Sequence, residues 1–179
     1  MGKITEQEKS EHYDIFDLLF RDIEYAGYHW TIVGLDGDIA YLLIDDELPE
    51  VEFGEGAIGY ADSYIREYIN TVLLQELERN GAKPVPTYMK DIGVADRICL
   101  ATLKGYRKLP TKVREYPNQW WLRTITWEED DPWSDYIHME PWIINRYGEF
   151  DFTPRHVEDA LVRPAIRVRI KDLQSPAAY

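Results

Sequence analysis

No lysine or arginine occurs between Asp22 and Ile65, a stretch that carries eleven acids. Thr124 to Asn145 repeats the pattern with six acids and no base, while Arg97 to Arg114 holds six bases and no acid. Cysteine is nearly absent as well. Cys99 stands alone, which excludes an intramolecular disulfide, a cysteine-rich zinc site and any chemistry that needs two thiols. No run approaches the roughly 20 apolar residues of a membrane-spanning helix. Met1 to Ser10 is polar and acidic, so a secretory signal is not expected there. The four histidines, His12, His29, His138 and His156, show no metal-ligand spacing. A phosphate-binding glycine loop, a dinucleotide turn and a serine elbow are all missing. These gaps leave little room for an enzyme, and none is expected.

What remains is a chain of 179 residues, enough for one domain, with 45% hydrophobic and 13% aromatic residues to build its core. Its six tryptophans and thirteen tyrosines bury large areas but need a polar outlet. The net charge of −13 disfavours direct binding to a nucleic-acid backbone, with the basic segment 97–114 as a local exception. An acidic surface of this kind suits a basic protein partner, a cation, or solubility alone. The expectation is a soluble, cytoplasmic protein.

Thr5-Glu6-Gln7-Glu8 reads as a capping box, and Tyr13, Phe16, Leu19, Phe20 and Ile23 continue at helical spacing. A helix is therefore expected over about residues 6 to 25, with Gly27 as its stop. β-rich runs flank Asp36-Gly37, a hairpin signal, and residues 45 to 60 read as a loop. Ser63 or Asp62 caps a second helix with the stripe Ile65, Tyr68, Ile69, Val72, Leu73 and Leu77, ending at Asn80-Gly81. Pro84 and Pro86 hold the next segment extended. A short strand over 97–103 should bury Cys99, and a basic connection runs on to Asn118. Strands are expected over 119–127, over 142–152 as a hairpin turning at Tyr147-Gly148, and over 161–170. Pro164 restricts the last to an edge or a strand beginning. Trp121 and Leu122 point to opposite faces of their strand, so both faces must be packed. The fold class is α+β with a small, twisted, mostly antiparallel sheet, one or two packed helices and long loops. Its parts are an N-terminal helix (1–27), the main domain (28–172) and a short tail (173–179).

Six pieces follow one another in order: Trp30-Thr31-Ile32-Val33, Ser63 to Asn70, Asp96 to Leu100, Trp120-Trp121-Leu122-Arg123-Thr124, Ile143 to Phe150, and Val162-Arg163-Pro164-Ala165. Together they resemble a family of uncharacterised bacterial and phage domains, over about residues 28 to 172. Such domains are similar to the C-type-lectin-like fold, shared with formylglycine-generating enzymes and phage receptor-binding proteins. The resemblance implies a fold and carries no activity with it. Formylglycine generation needs a reactive cysteine pair, which this chain lacks.

Arg66, Arg123 and Arg163 sit beside apolar neighbours, where a guanidinium is buried in part and must be paired. They read as internal ties of the scaffold, together with Asn70, Trp120 and Trp121, rather than as a catalytic cluster. A calcium site needs about six to eight oxygen ligands. The lectin sugar motif is present only as Trp133-Ser134-Asp135 and Glu140-Pro141-Trp142, in the wrong order, so no metal or other cofactor is expected. Trp127, Trp133, Tyr136 and Trp142 bracket the acids Glu128, Glu129, Asp130, Asp131 and Asp135. Aromatic anchors beside charge are what interfaces favour. With Asp45, Asp46 and Glu47 these form the candidate binding surface of a non-catalytic recognition module for a protein or glycan. The alternative is an acidic phage or prophage inhibitor of a bacterial defence system. It would act as a nucleic-acid mimic, for example an anti-CRISPR protein in the basic channel of an effector nuclease. Oligomeric state is not legible.

Overall fold

Two β-rich runs with a glycine between them make the first long hairpin, and most of the molecule is assembled on it. The computed structural model describes residues 18–54, 59–90, 92–116, 118–128, 138–152 and 160–173, with side chains outside 125–140 and 151–152. Strands β1 (Asp22–Tyr25), β2 (Tyr28–Asp36) and β3 (Ile39–Ile44) are followed by the short β4 (Thr87–Met89), β5 (Val94–Asp96) and β6 (Ile98–Leu100). The longer β7 (Trp120–Glu128) and β8 (His138–Ile144) precede β9 (Phe150–Phe152) and β10 (Pro164–Arg169). A helix runs as α1 (Tyr64–Tyr68), a π turn (Ile69–Leu73) and α2 (Leu74–Arg79). A 3₁₀ turn (Tyr60–Asp62) before α1 and the single-turn helices α3 (Leu103–Tyr106), α4 (Thr111–Arg114) and α5 (Ile170–Leu173) complete the described elements.

Five strands form one antiparallel sheet in the order β1-β2-β3-β10-β6, β4 and β5 form a ribbon, and β7-β8-β9 form a third sheet. The molecule is α+β and mostly antiparallel, as its composition of short strands and few helices requires. Pro164 opens β10, which lies between β3 and β6, so the proline takes the strand-beginning option. Ile166 and Val168 are buried, while Arg167 and Arg169 turn the other way.

Both faces of the five-stranded sheet are covered. Leu42 and Ile44 point into a first core with Trp30, Ile166, Val168 and the helix residues Ile65, Ile69, Leu73 and Leu77. Leu43, between them, enters a second core with Tyr106, Trp120, Leu122, Ile144 and Leu161. Strand β7 is divided in the same way, with Trp121 in the first core and Trp120 and Leu122 in the second. Period-two alternation makes this unavoidable, and burial of each such leucine contributes about 1.5–3 kcal/mol.

Several expectations are corrected. The capping box at Thr5 to Glu8, and residues 1–17 generally, lie outside the described residues. Asp22–Tyr25 is not the end of a helix but strand β1, paired in register with β2 from Asp22↔Thr31 to Tyr25↔Tyr28. Gly27 stops no helix. With Ala26 it forms a two-residue hairpin turn at φ of 82° and 54°, the backbone that matches strand twist. The next hairpin turns at Gly37-Asp38, one residue later than expected, because Asp36 still pairs with Ile39. The 97–103 strand is only β6, and Cys99 is half-buried. The β4–β5 ribbon was not foreseen. The last strand stops at Arg169, one residue earlier than expected, and Ile170 begins α5.

Candidate functional site

The nine residues that concentrate acids with aromatics connect two well-anchored strands. Trp120 pairs with Ile144 and Trp121 with Ile143 at the root of the β7–β8 pair, where Trp120, Trp121 and Ile144 are essentially fully buried. The far end closes with Trp127 opposite Met139 and Glu128 opposite His138. Residues 129–137 therefore join two paired strand ends. Trp127 and Glu128 are placed on β7 by their backbone alone. Glu129, Asp130, Asp131, Trp133, Asp135 and Tyr136 lie outside the described residues. Trp142 is different. It is half-buried on β8, packs on Phe150 at 5.1 Å between ring centroids, and touches the second core. Its indole is largely part of the scaffold.

Asp45, Asp46 and Glu47 follow β3 and are bonded to residues far away in the chain. Asp45 accepts from Arg163 Nη2 at 2.8 Å and from the Thr31 hydroxyl at 2.7 Å. Asp46 accepts from the His29 backbone N–H, and its Oδ1 lies 3.1 Å from His29 Nδ1. Glu47 accepts from Asn118 Nδ2 at 3.2 Å. The Asp46 hydrogen bond holds the exposed His29 imidazole above the usual histidine range. Because that pKa is raised by folding, its stabilisation is complete below the unfolded value and is lost as pH rises through the folded one.

A cleft of about 610 Å³ adjoins this corner, lined among others by Asp22, His29, Lys112, Tyr116 and Arg163. Its chemistry is restrained. Tyr116 donates its hydroxyl to the Asp45 carbonyl at 3.1 Å, and burial pushes its pKa up to about 12 against the lowering effect of Arg163. Thr31 donates to carboxylates. Among the described residues no hydrogen bond joins His29 to a hydroxyl or thiol, so a nucleophile–base pair is not assembled here. No group of three or more His, Cys, Asp or Glu side chains converges to hold a metal among the described residues.

The arginine motifs occupy three separate places. Arg66 forms a two-pronged bond to Asp96, Nε to Oδ2 at 2.7 Å and Nη2 to Oδ1 at 2.9 Å, while Nη1 donates to the Ala61 carbonyl at 2.6 Å. That bond to Asp96 raises the pKa of the guanidinium. Ser63 caps the same helix by accepting from the Arg66 N–H. Arg163, only 2% exposed, donates to the carbonyls of Ile44 (2.9 Å) and Val113 (2.7 Å) as well as to Asp45. Its guanidinium lies over the rings of Tyr116 and Trp120, at 4.4 and 5.2 Å. Burial lowers its pKa, opposed by the Asp45 bond. Arg123 instead lines an open cleft beside α3, and its backbone N–H bonds to the Ala101 carbonyl.

Asn70 has a role that only tertiary structure reveals. β6 is the edge of the five-stranded sheet, and Asn70 bonds both polar groups of Ile98: Nδ2 to the carbonyl at 3.0 Å, and the Ile98 N–H to Oδ1 at 3.2 Å. The Tyr60 hydroxyl takes the Leu100 N–H at 3.3 Å. Two side chains thus stand in for a sixth strand and cover an edge that invites foreign pairing. Asn70→Ala leaves the Ile98 donor and acceptor unpaired and is expected to cost about 1–3 kcal/mol in urea unfolding. The only sequence signal for this was the motif Ser63 to Asn70 itself.

Comparison with protein-family models, with curated proteins and with solved structures finds no match.

Proposed function

We propose that this chain is a non-catalytic recognition module that binds a partner through the segment Trp127 to Tyr136, a protein rather than a glycan. The pairing of Glu128 with His138 carries the reading: it holds the ends of an acid- and aromatic-rich segment together on strands rooted in both cores. Anchored ends lower the ordering cost of binding. The carboxylates of the segment would be complementary to a basic protein surface, whereas a neutral glycan gains nothing from them. The resemblance to lectin-like bacterial and phage domains agrees with such a role and belongs to the same proposal.

The inhibitor reading draws on the acids between Asp22 and Ile65. Among these, Asp22, Asp38, Asp45, Asp46 and Glu47 are engaged by Thr31, Arg169, Arg163, His29 and Asn118. This makes that surface the weaker of the two as a nucleic-acid mimic. Affinity capture with the intact chain and with Trp133→Ala/Tyr136→Ala tests the proposal. The variant is expected to lose the captured protein, and the wild-type complex is expected to weaken with salt, since exposed charges are screened over about 8–10 Å. Equal capture by both proteins would reject it.

A further inference from the structure

The helix from Tyr64 to Arg79 carries two parallel rows of side chains. Ile65, Ile69, Leu73 and Leu77 form the row buried in the first core. One position earlier in each turn stand Tyr64, Tyr68, Val72 and Glu76, and this row borders solvent. Residues four apart are neighbours on a helix face, so the three apolar side chains form one strip. Tyr64 is 44% and Val72 54% exposed, while Tyr68 is half-buried against the first core. Tyr28 of β2 flanks the strip, its hydroxyl donating to Glu76 Oε1 at 2.9 Å and its ring set edge-on to Trp30. The π turn that keeps Ile69 and Leu73 buried leaves Val72 outside, and such turns recur at functional positions.

The rim of this face is acidic. Asp62 precedes the helix, Glu67 is exposed one turn from Tyr64, and Glu76 closes the row. Burial pushes the Tyr28 pKa up to about 12, aided by the bond to Glu76 and by the charges of Glu76 and Asp46, so the negative field reaches the strip itself. The bases around it are engaged or distant. Arg66 is bound to Asp96, His29 to Asp46 and Arg97 to Glu78, and Arg79 stands in the last turn.

We propose that this face docks a basic amphipathic helix of a partner protein. The partner's apolar side chains pack along Tyr64, Tyr68 and Val72, and its lysines or arginines meet Asp62, Glu67 and Glu76. A row of residues four apart is the ridge that fits the groove of a second helix, and an amphipathic helix reads such a surface through anchors at the same spacing. Charge selects the occupant. A second copy of this chain, or an anionic membrane, would bring like charge against these acids. The inference does not rest on the segment Trp127 to Tyr136.

Fluorescence anisotropy of the whole chain with a labelled synthetic helix of about five turns, leucine on one face and lysine on the other, tests the face. This peptide is expected to bind saturably and to weaken as salt rises, and its counterpart with glutamate in place of lysine is expected not to bind. Tyr64→Ala/Val72→Ala should weaken the lysine peptide by about tenfold or more, through the apolar area withdrawn from contact. If that variant does not fold, Val72→Ala gives the same test with a smaller loss, since alanine favours the helix. Glu67→Lys should weaken binding by about twofold to fivefold, the scale of an exposed ion pair. Trp133→Ala/Tyr136→Ala should bind the peptide as wild type does, so this reading and that of the recognition segment fail separately. The proposal is overturned if the lysine peptide does not bind, if the glutamate peptide binds equally, or if the helix variants keep wild-type affinity. It is also overturned if the loss is confined to Trp133→Ala/Tyr136→Ala. A dimer in sedimentation that Tyr64→Ala/Val72→Ala dissociates would give the face to a second copy and overturn it as well.

Discussion

Arg163→Ala is expected to lower the unfolding free energy by about 3–5 kcal/mol. The guanidinium is 2% exposed, and its three donor nitrogens reach the Ile44 carbonyl, the Val113 carbonyl and Asp45. Removing it leaves two carbonyls without that donor and a carboxylate whose remaining side-chain donor among the described residues is the Thr31 hydroxyl. It also opens a gap beside Tyr116 and Trp120. The effect is large because one side chain joins the end of β3, the loop after it, α4 and the start of β10. Lysine keeps the charge but not the planar fork, so Arg163→Lys should still cost about 2 kcal/mol. Urea unfolding followed by tryptophan fluorescence measures both, with an unchanged denaturant slope if only stability has moved. A change under 1 kcal/mol for the alanine variant would show that the three bonds add little.

Arg66→Ala should rank with it, again at about 3–5 kcal/mol, and should cost clearly more than Asp96→Ala. The asymmetry follows from exposure. The Asp96 side chain is 6% exposed and the Arg66 side chain 28%. Without Arg66 a carboxylate is left charged and buried. Without Asp96 the guanidinium keeps its bond to the Ala61 carbonyl and can take water on its exposed side. The double variant should recover part of the Arg66→Ala loss, because it removes the stranded charge together with its partner. Equal losses in the two single variants would contradict this account, as would a double variant equal to their sum.

How far such features were legible depended on the distance over which each was encoded. Adjacent residues in Trp120-Trp121-Leu122 stated their own alternation, and glycines at positive φ, Gly37 and Gly148, marked hairpins to within a residue. Gly27 was misread because a helix stop and a hairpin turn make the same demand on backbone. Asp22–Tyr25 is too short for period two to stand out against the helical spacing of Phe16, Leu19, Phe20 and Ile23. The second helix was found, but Val72 was assigned to its apolar stripe and is 54% exposed. The buried residues Ile65, Ile69, Leu73 and Leu77 are spaced by four throughout, and a pure α-helix would drift about 40° at each step. The π turn at Ile69–Leu73, in which the Leu74 N–H reaches the Ile69 carbonyl, widens the helix and keeps that stripe aligned. Asp45 and Asp46 read as part of an acidic binding surface because nothing local reveals partners such as Arg163 or His29. The β4–β5 ribbon, three residues a side, carried no periodic signal at all.

The central claim is that scaffold and recognition segment are separate: the cores and the arginine ties hold the fold, while the residues beyond Glu128 meet the partner. Thermal unfolding of Trp133→Ala/Tyr136→Ala beside wild type tests it most directly. For a chain of this size 1 kcal/mol moves Tm by about 2–4 °C. The account predicts a Tm within about 2 °C of wild type, since side chains reserved for a partner add little to folding. A fall of about 10 °C or more, the scale expected for removing a core tryptophan, would place these rings in the fold and contradict it.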